Sequence, residues 1–219
     1  MPLPRTYDES GVAALLHAGG RMRTEKQDVI TLPAPEVEHG KPLMQALSDR
    51  HTSRELSDRK LPLYVLSNLL WAAYGVNRSK TGGHTPPSAH EWHEIEVYIL
   101  TAEGLYLYDA SNHALKRVLT QDIRIETELQ SFVADSPISL IYVADYSRTI
   151  ETAEEDKILY SAADAGAIIQ NVCLFCASEE LATVVRGTVA HPALVKLMKL
   201  RPSQRIILAQ SVGYPGGTH

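Results

Sequence analysis

Apolar residues recur at helical spacing in two segments of the first third of the chain. The first, residues 42–50, begins with a proline, which suits the first turn of a helix. The second, residues 61–76, reaches Gly75, a residue type that commonly ends helices. The two apolar stripes are formed by Leu43, Met44 and Leu47, and by Leu63, Leu66, Leu70 and Ala73. The stretch that follows, residues 77–89, is dense in Gly, Pro and Ser and predicts a loop.

The middle of the chain changes to patterns that are typical of strands. Alternating or apolar runs separated by short turns predict a small meander over residues 94–100, 104–109 and 113–119. Residues 138–145 are apolar almost throughout, which predicts a strand buried on both faces. A further apolar strand is predicted over residues 205–214.

Helices and one short strand complete the predicted elements. Asp122 is a suitable cap for a helix that runs to about Val133. A long helix is expected over residues 158–179, preceded by an acidic loop or first turn at residues 151–157. The last predictions are a strand over 182–187 that ends at a glycine and a helix over 191–200. Because helices bracket the strands and do not alternate with them regularly, the predicted class is α+β.

The composition is that of a globular protein, with 44% hydrophobic and 21% charged residues in 219. Residues 1–40, rich in proline and charge towards their end, are expected to be an N-terminal arm, and residues 41–219 a single domain. A net charge of −5 argues against a nucleic-acid binder.

Membrane insertion and secretion are not expected. The start of the chain lacks the pattern of a secretory signal. The helix predicted over residues 158–179 is long enough to cross a bilayer. It contains Asp164, Gln170 and Asn171, which are costly in lipid and need partners inside a protein. A cytoplasmic location is therefore expected.

Common catalytic signatures are missing from the sequence. It has no glycine-rich dinucleotide or phosphate loop, no nucleophile elbow and no histidine spacing that predicts a metal site. Cys173 and Cys176 have the spacing of a redox pair, but they lie in an apolar helical run. They are interpreted as small buried hydrophobic residues, and a thiol redox protein remains an alternative.

Three short segments carry most of the candidate chemistry. Residues 50–54, named here the arginine segment, place two arginines, a histidine and hydroxyl groups close together, as a phosphate or carboxylate site requires. Donors at an adjacent helix end would add to such a site. Residues 86–93, named here the Pro87 loop, begin with two prolines and two small residues that leave room for a flat ligand. Residues 183–187 form a strand that ends at a glycine, where the backbone is accessible.

Taken together, the order and spacing of these segments resemble the nitroreductase-like FMN-dependent oxidoreductases over about residues 41–215. Each segment has its counterpart in the family pattern: Arg50, His51, Thr52 and Arg54; Pro87, Ser88 and Ala89; the helix 158–179; the strand ending at Arg186 and Gly187; and Gly213-Tyr214-Pro215. Residues 66–78, the PSA triplet and residues 94–109 are similar to the branch that includes peptide azoline dehydrogenases of the SagB type, which form thiazoles and oxazoles.

This resemblance implies a mostly antiparallel sheet flanked by helices, with the long helix at the interface of a homodimer. It implies FMN as cofactor, NAD(P)H as electron donor and a small electrophile, such as a nitroaromatic or quinone, as acceptor. The chemistry is centred on the flavin, with no catalytic side chain assigned. One subunit would supply Arg50, His51, Thr52, Arg54, Arg186 and Gly187, and the other Pro87, Ser88 and Ala89.

The chain also departs from the family pattern. Glu91 and His93 stand where Asn and Gln are usual, and a C-terminal Lys/Arg pair that often holds the FMN phosphate has no counterpart. The phosphate is therefore expected on Arg50 and Arg54, with Arg186 near the flavin ring. Two alternatives remain: a peptide azoline dehydrogenase, and a flavin-binding module without turnover.

Overall fold

The computed structural model describes residues 28–124, 136–187 and 192–217. Most of the helix expected between Asp122 and Val133 lies outside these ranges. The strands are β1 Val29–Thr31, β2 Val76–Arg78, β3 Gly83–His84, β4 Ile95–Thr101, β5 Gly104–Asp109, β6 Ala114–Leu119, β7 Ile138–Asp145, β8 Ala182–Arg186 and β9 Gln204–Gly213. The helices are α1 Leu43–Asp49, α2 Leu63–Tyr74, α3 Glu154–Ser178 and α4 Pro192–Leu197, with short 3₁₀ turns at Ala89–Glu91 and Tyr146–Arg148.

A seven-stranded antiparallel sheet in the order β1-β6-β5-β4-β7-β9-β8 forms the centre of the molecule. The predicted meander β4–β5–β6 is confirmed. The turn between β4 and β5 needs Gly104, because φ there is +130° and a Cβ would lie 2.1 Å from the Leu119 carbonyl oxygen. All eight residues of β7 are buried, as its apolar run predicts. The α+β class is confirmed.

The two faces of the sheet are covered by different helices. On β7, Leu140 and Tyr142 point to the face on which α2 and α3 pack, whereas Ile141 and Val143 point to the opposite face, beside Leu194 of α4. This alternation follows from the two-residue period of a strand. Both faces are therefore dry, and functional groups have to lie at the edges of the sheet or at the ends of the helices.

Helix α3 begins at Glu154 and not at residue 158, so the acidic stretch is its first turn. Acidic residues there interact favourably with the positive end of the helix dipole. One face, which includes Ile168 and Val172, is buried in the core. The other exposes Leu159 and Gly166. By length and composition alone α3 would also suit a membrane span, a test that core helices of globular proteins pass as well.

Three local features add to or differ from the expectations. The expected N-terminal arm includes β1, which pairs with β6 and forms an edge of the sheet. The loop predicted over residues 77–89 contains the hairpin β2–β3. Helix α1 packs through Ala46, and its predicted apolar stripe, Leu43, Met44 and Leu47, is 43–75% exposed in the single chain.

Candidate functional site

The arginine segment leaves the end of α1 and runs along the edge strand β8. The Ser53 N–H donates to the Thr183 carbonyl at 3.0 Å. Just beyond the segment, Leu56 forms a β-bridge with Pro215, and the Gly216 N–H donates to the Glu55 carbonyl at 2.9 Å. The first of these bonds ties the segment to β8, and the other two tie the residues just after it to the chain beyond β9.

Two cations of this segment face solvent. Arg50 and Arg54 are exposed, and neither guanidinium forms an ion pair or hydrogen bond with the part of the chain that the structure describes. The nearby carboxylate of Asp49 is occupied by Lys41 Nζ at 3.1 Å and Gln45 Nε2 at 2.7 Å, and the Lys41 contact lowers its pKa. Both arginines thus keep their donors for an anion.

Helix α1 contributes carbonyls, not amides, at this place. The arginine segment follows the C-terminus of α1, so the expected addition of helix-end N–H donors is wrong. His51 Nδ1 donates to the Asp49 carbonyl at 2.8 Å and satisfies one of those carbonyls. Thr52 is exposed between the arginines. Helix α1 therefore adds no N–H donors at this place.

A buried hydrogen-bond network fixes the position of β8, the strand to which the arginine segment is bonded. Gln210 Nε2 donates to Thr183 Oγ1 at 2.9 Å, and that hydroxyl donates to the Ser211 carbonyl at 2.9 Å. Tyr142 Oη donates to Gln210 Oε1 at 2.7 Å. Sequence reasoning missed this network, although Gln210 and Thr183 are polar residues in otherwise apolar strands, which was its available signal.

The structure separates the two members of the Arg186-Gly187 pair. Gly187 is exposed, and a Cβ there would meet only one side-chain atom, at 4.0 Å, so the backbone is open to a ligand. The Arg186 guanidinium is buried, at 7% exposure, and donates from Nη2 to Ser139 Oγ at 3.1 Å. Arg186 follows Thr183 by three positions on β8, and side chains alternate along a strand, so the Arg186 side chain lies on the opposite face of the sheet from that of Thr183. The structure thus does not bring this side chain together with Arg50 and Arg54.

The Pro87 loop is anchored to the first half of α3. The Ala89 N–H donates to Asp164 Oδ2 at 2.8 Å, and the His93 N–H donates to Ser88 Oγ at 2.9 Å. Asp164 is thus the partner that a polar residue within an apolar helix requires. Pro87 is exposed, and Ser88 and Ala89 are half-buried. A small rigid surface results.

An aromatic cluster supports the same loop. The ring of His90 stacks on Trp92 with centroids 5.0 Å apart, and both rings meet the edge of Tyr160 on α3 at 5.2 and 5.7 Å. The backbone of the loop turns sharply, with positive φ at His90, Glu91 and His93. These contacts fix the loop to the helix more firmly than its sequence suggests.

The two halves of the predicted site lie at different positions along α3. The Pro87 loop contacts Asp164, whereas Arg50 acts electrostatically on Cys173. These positions are nine residues apart, or about 13 Å along a helix. Within one chain, α3 therefore carries both halves but keeps them apart.

The cysteines do not form a reactive pair. Cys173 and Cys176 are buried free thiols, and burial raises the pKa of both. A thiolate, which thiol redox chemistry requires, is disfavoured at both positions. The interpretation as small core residues is confirmed. Among the described residues, no group of three or more His, Cys, Asp or Glu is placed to hold a metal ion.

Comparisons with known proteins agree on one family. Residues 47–214 match the model of the nitroreductase family. A protein from Methanocaldococcus jannaschii that is named a nitroreductase is 32% identical over 184 residues, covering 80% of this chain and 92% of its own. A crystal structure from Ralstonia eutropha JMP134, also named a nitroreductase, is 42% identical with a TM-score of 0.83, over 87% of this chain and 90% of that one.

More distant structures share the fold alone. A nitroreductase from Desulfovibrio desulfuricans in complex with FMN is 17% identical, with a TM-score of 0.58 over 83% of this chain and 92% of that one. A chain of the Escherichia coli microcin synthetase complex with a truncated precursor bound is 14% identical. Its TM-score is 0.67 over 99% of this chain and 85% of that one.

Proposed function

Because the chain belongs to the nitroreductase family and is an oxidoreductase, we propose that it binds FMN between two copies of itself. In this proposal the enzyme passes hydride from NAD(P)H to a small electrophilic acceptor, such as a quinone or nitroaromatic, and does so in the cytoplasm. FMN, when bound, supplies the hydride chemistry, and the protein supplies binding, orientation and electrostatics. The FMN complex of a relative with the same fold supports the choice of cofactor.

The residues present fit the phosphate end of FMN. Arg50 and Arg54 are exposed, and no carboxylate in the described part of the chain competes for their donors. His51 and Thr52 lie between them and add neutral hydrogen-bonding groups. In this proposal the four side chains hold the phosphate.

The backbone beyond β8 suits the flavin ring. Gly187 leaves its backbone uncovered, and a flat ring system needs this kind of close approach. Arg186 contributes here through its main chain, since its guanidinium is buried against Ser139. Pro87, Ser88 and Ala89 of the second chain close the site from the other side.

A dimer with two-fold symmetry about α3 would bring the arginine segment of one chain close to the Pro87 loop of the other. If the α3 helices of two chains pack antiparallel about an axis near their middle, the Asp164 end of one lies beside the Cys173 end of the other. The Pro87 loop of each chain then faces the arginine segment of its partner. Two equivalent sites follow, as the symmetry of a homodimer requires.

The surfaces needed for this dimer are exposed in the single chain. Gly166 has no atom within 4 Å of the position of a Cβ, and Leu159 is 63% exposed on the same helix. On α1, Leu43 and Met44 are 63% and 75% exposed. Small residues let helices approach closely, and large exposed apolar residues are typical of interfaces.

The observation that carries the proposal is the pair of exposed, uncompensated arginines near Cys173 of α3, with a small rigid loop near Asp164 of the same helix. The test is the absorbance spectrum of the purified protein, with the released cofactor identified by mass, followed by NAD(P)H oxidation with a panel of acceptors. We expect about one FMN per chain and turnover with at least one quinone or nitroaromatic. A colourless protein that neither takes up added FMN nor oxidises NAD(P)H would contradict the proposal.

A second candidate function is the oxidation of a peptide azoline. It is favoured by the match to a chain of the microcin synthetase complex, which extends over 99% of this chain. The same purified protein should then convert a thiazoline-containing peptide to the thiazole, with a loss of two mass units per ring. Turnover of small electrophiles without any such loss would favour the first candidate.

A further inference from the structure

Glu94 is a buried acid that the proposed chemistry does not use. It lies between the Pro87 loop and β4 and is 0% exposed. Neither of its carboxyl oxygens makes a hydrogen bond of regular geometry within the described ranges. The same is true of four buried polar atoms: Tyr74 Oη, His93 Nδ1, Tyr146 Oη and Ser161 Oγ. Buried polar atoms are normally satisfied, so this cluster calls for a physical explanation.

Within the described ranges, no cation forms an ion pair with Glu94. The groups that act on it or lie around it are His93 of its own loop, Tyr74 of α2, Tyr146 of the turn Tyr146–Arg148, and Ser161 and Asp164 of α3. The neighbouring cation, Arg148, is held by Glu96 Oε1 at 2.5 Å and by the His93 carbonyl at 3.0 Å.

A second carboxyl makes ionisation of Glu94 still less favourable. Asp164 is 7% exposed, and its charge acts on Glu94. Two like charges in one buried place disfavour each other, so a single negative charge is the stable state. The Ala89 N–H donates to Asp164 Oδ2 at 2.8 Å, whereas neither oxygen of Glu94 accepts a hydrogen bond of regular geometry. The proton therefore belongs on Glu94.

The ionisation behaviour of Glu94 agrees with this geometry. Burial raises the pKa of its carboxyl, and the Asp164 charge raises it further. Its own backbone amide, the Ser161 hydroxyl and His93 act in the opposite direction and do not outweigh burial. The physical cause is the cost of taking an ionised carboxylate out of water.

We infer that Glu94 is held as the neutral acid and positions the Pro87 loop, because its neutrality leaves Asp164 as the charged group that accepts the Ala89 amide. Glu94 is thus a positioning residue that acts through Asp164. The inference rests on the proposed function, in which this loop is one wall of the flavin site. Ionisation of Glu94 would place a second charge beside Asp164 and release the loop.

The sign of the pH effect follows from the raised pKa. In the window between the ordinary glutamate pKa of about 4.3 and the raised folded value, the folded protein binds more protons than the unfolded chain. Stability from this group is therefore full below the window and falls as the pH rises through it. Glu94→Gln, a permanently neutral mimic, should not show this loss.

The first experiment measures the dissociation constant of FMN against pH in the full-length wild type, Glu94→Gln and Glu151→Gln. Glu151 is exposed and serves as the control. Above the pKa of Glu94 the wild-type and control constants should rise by up to about tenfold per pH unit more than that of Glu94→Gln. Titration of the FMN phosphate is common to all three proteins and cancels. Parallel pH profiles of the wild type and Glu94→Gln would overturn the positioning role.

The second experiment reads the proton directly and needs no flavin. The infrared spectrum of the wild type should contain a carboxylic-acid carbonyl band at neutral pH that is missing from Glu94→Gln. If Glu94→Gln does not fold, titration of that band in the wild type gives the result, since it should persist above the ordinary glutamate range. Absence of the band at neutral pH would overturn the charge assignment. A protein with the band that binds no FMN at any pH contradicts the proposed function and with it the positioning role, and leaves the charge assignment standing.

Discussion

A guanidinium without a carboxylate partner in its own chain keeps its hydrogen-bond donors for a ligand. Arg50 and Arg54 are in this situation, because the adjacent carboxylate of Asp49 forms its ion pair with Lys41. The bidentate geometry of arginine matches phosphate oxygens. The strength of FMN binding should therefore depend on these two side chains more than on other exposed arginines.

Arg50→Ala should weaken FMN binding by about 1.5–3 kcal/mol, the usual range for a hydrogen bond to a charged group. This corresponds to an increase of about ten- to 150-fold in the dissociation constant. Fluorescence titration of the apoprotein with FMN measures it. Arg78→Ala is the matched control, because Arg78 is exposed and lies outside the arginine segment. Equal losses in both variants would show that the effect is not specific to the phosphate site.

Residue types alone do not reveal which way a side chain points. Composition and order led to the prediction that the arginine segment, the Pro87 loop and Gly187 bind the cofactor, and this stays a prediction. The sequence also predicted Arg186 near the flavin, whereas the guanidinium contacts Ser139 on the opposite face of the sheet. Strand alternation separates Arg186 from Thr183. Which face of the sheet α3 covers depends on tertiary packing, which no local pattern contains.

Among the elements, strand β8 links the core to the proposed site. Thr183 uses its backbone carbonyl to hold Ser53 and its hydroxyl to join Gln210 and Ser211. The strand position of the arginine segment thus depends on a buried polar network. Such a network stabilises one arrangement only while all its members are paired.

Thr183→Val preserves shape but removes the hydroxyl and leaves one donor of Gln210 without its acceptor. We expect the free energy of unfolding to fall by about 1–3 kcal/mol, the cost of an unsatisfied buried group. Denaturant unfolding measures this change. Val185→Thr is the control on the same strand, since Val185 is 39% exposed, and it should change stability by less than about 0.5 kcal/mol. A stable Thr183→Val protein would mean that the network contributes little.

Long, strongly patterned elements were the predictable ones. Helix α3 and strand β7 follow from long, mostly apolar runs, and the meander follows from its turns. The short pieces were missed, because three residues in β1 or two in β3 carry too little pattern. The apolar stripe of α1 was recognised, but a pattern does not reveal whether its face meets the same chain or another one.

For the whole molecule, the proposed dimer places the exposed face of α3 at the contact between the two chains. Gly166 lies on this face with open space around it, so larger side chains fit within a single chain. Gly166→Glu should therefore keep the helical content but block close packing of two α3 helices. Sedimentation should then show a monomer with little bound FMN.

Gly166→Ala is the control for this change. Alanine is small and favours helices by up to about 1 kcal/mol over glycine, so the dimer and its flavin should remain. A fully flavin-loaded dimer in the Gly166→Glu variant would show that the interface lies elsewhere.

The central claim is that each flavin site takes one half from each chain, and mixed dimers test it most directly. One chain carries Arg50→Ala and Arg54→Ala, and the other carries Ala89→Trp, which blocks the Pro87 loop. Two different affinity tags isolate the mixed dimer, and FMN binding is titrated beside both parent homodimers. If the halves come from different chains, one site of the mixed dimer contains both defects and the other contains none. The account predicts about half an FMN per chain at wild-type affinity, from parents that bind weakly. A mixed dimer with no site of wild-type affinity would contradict it, because each chain would then build its own site.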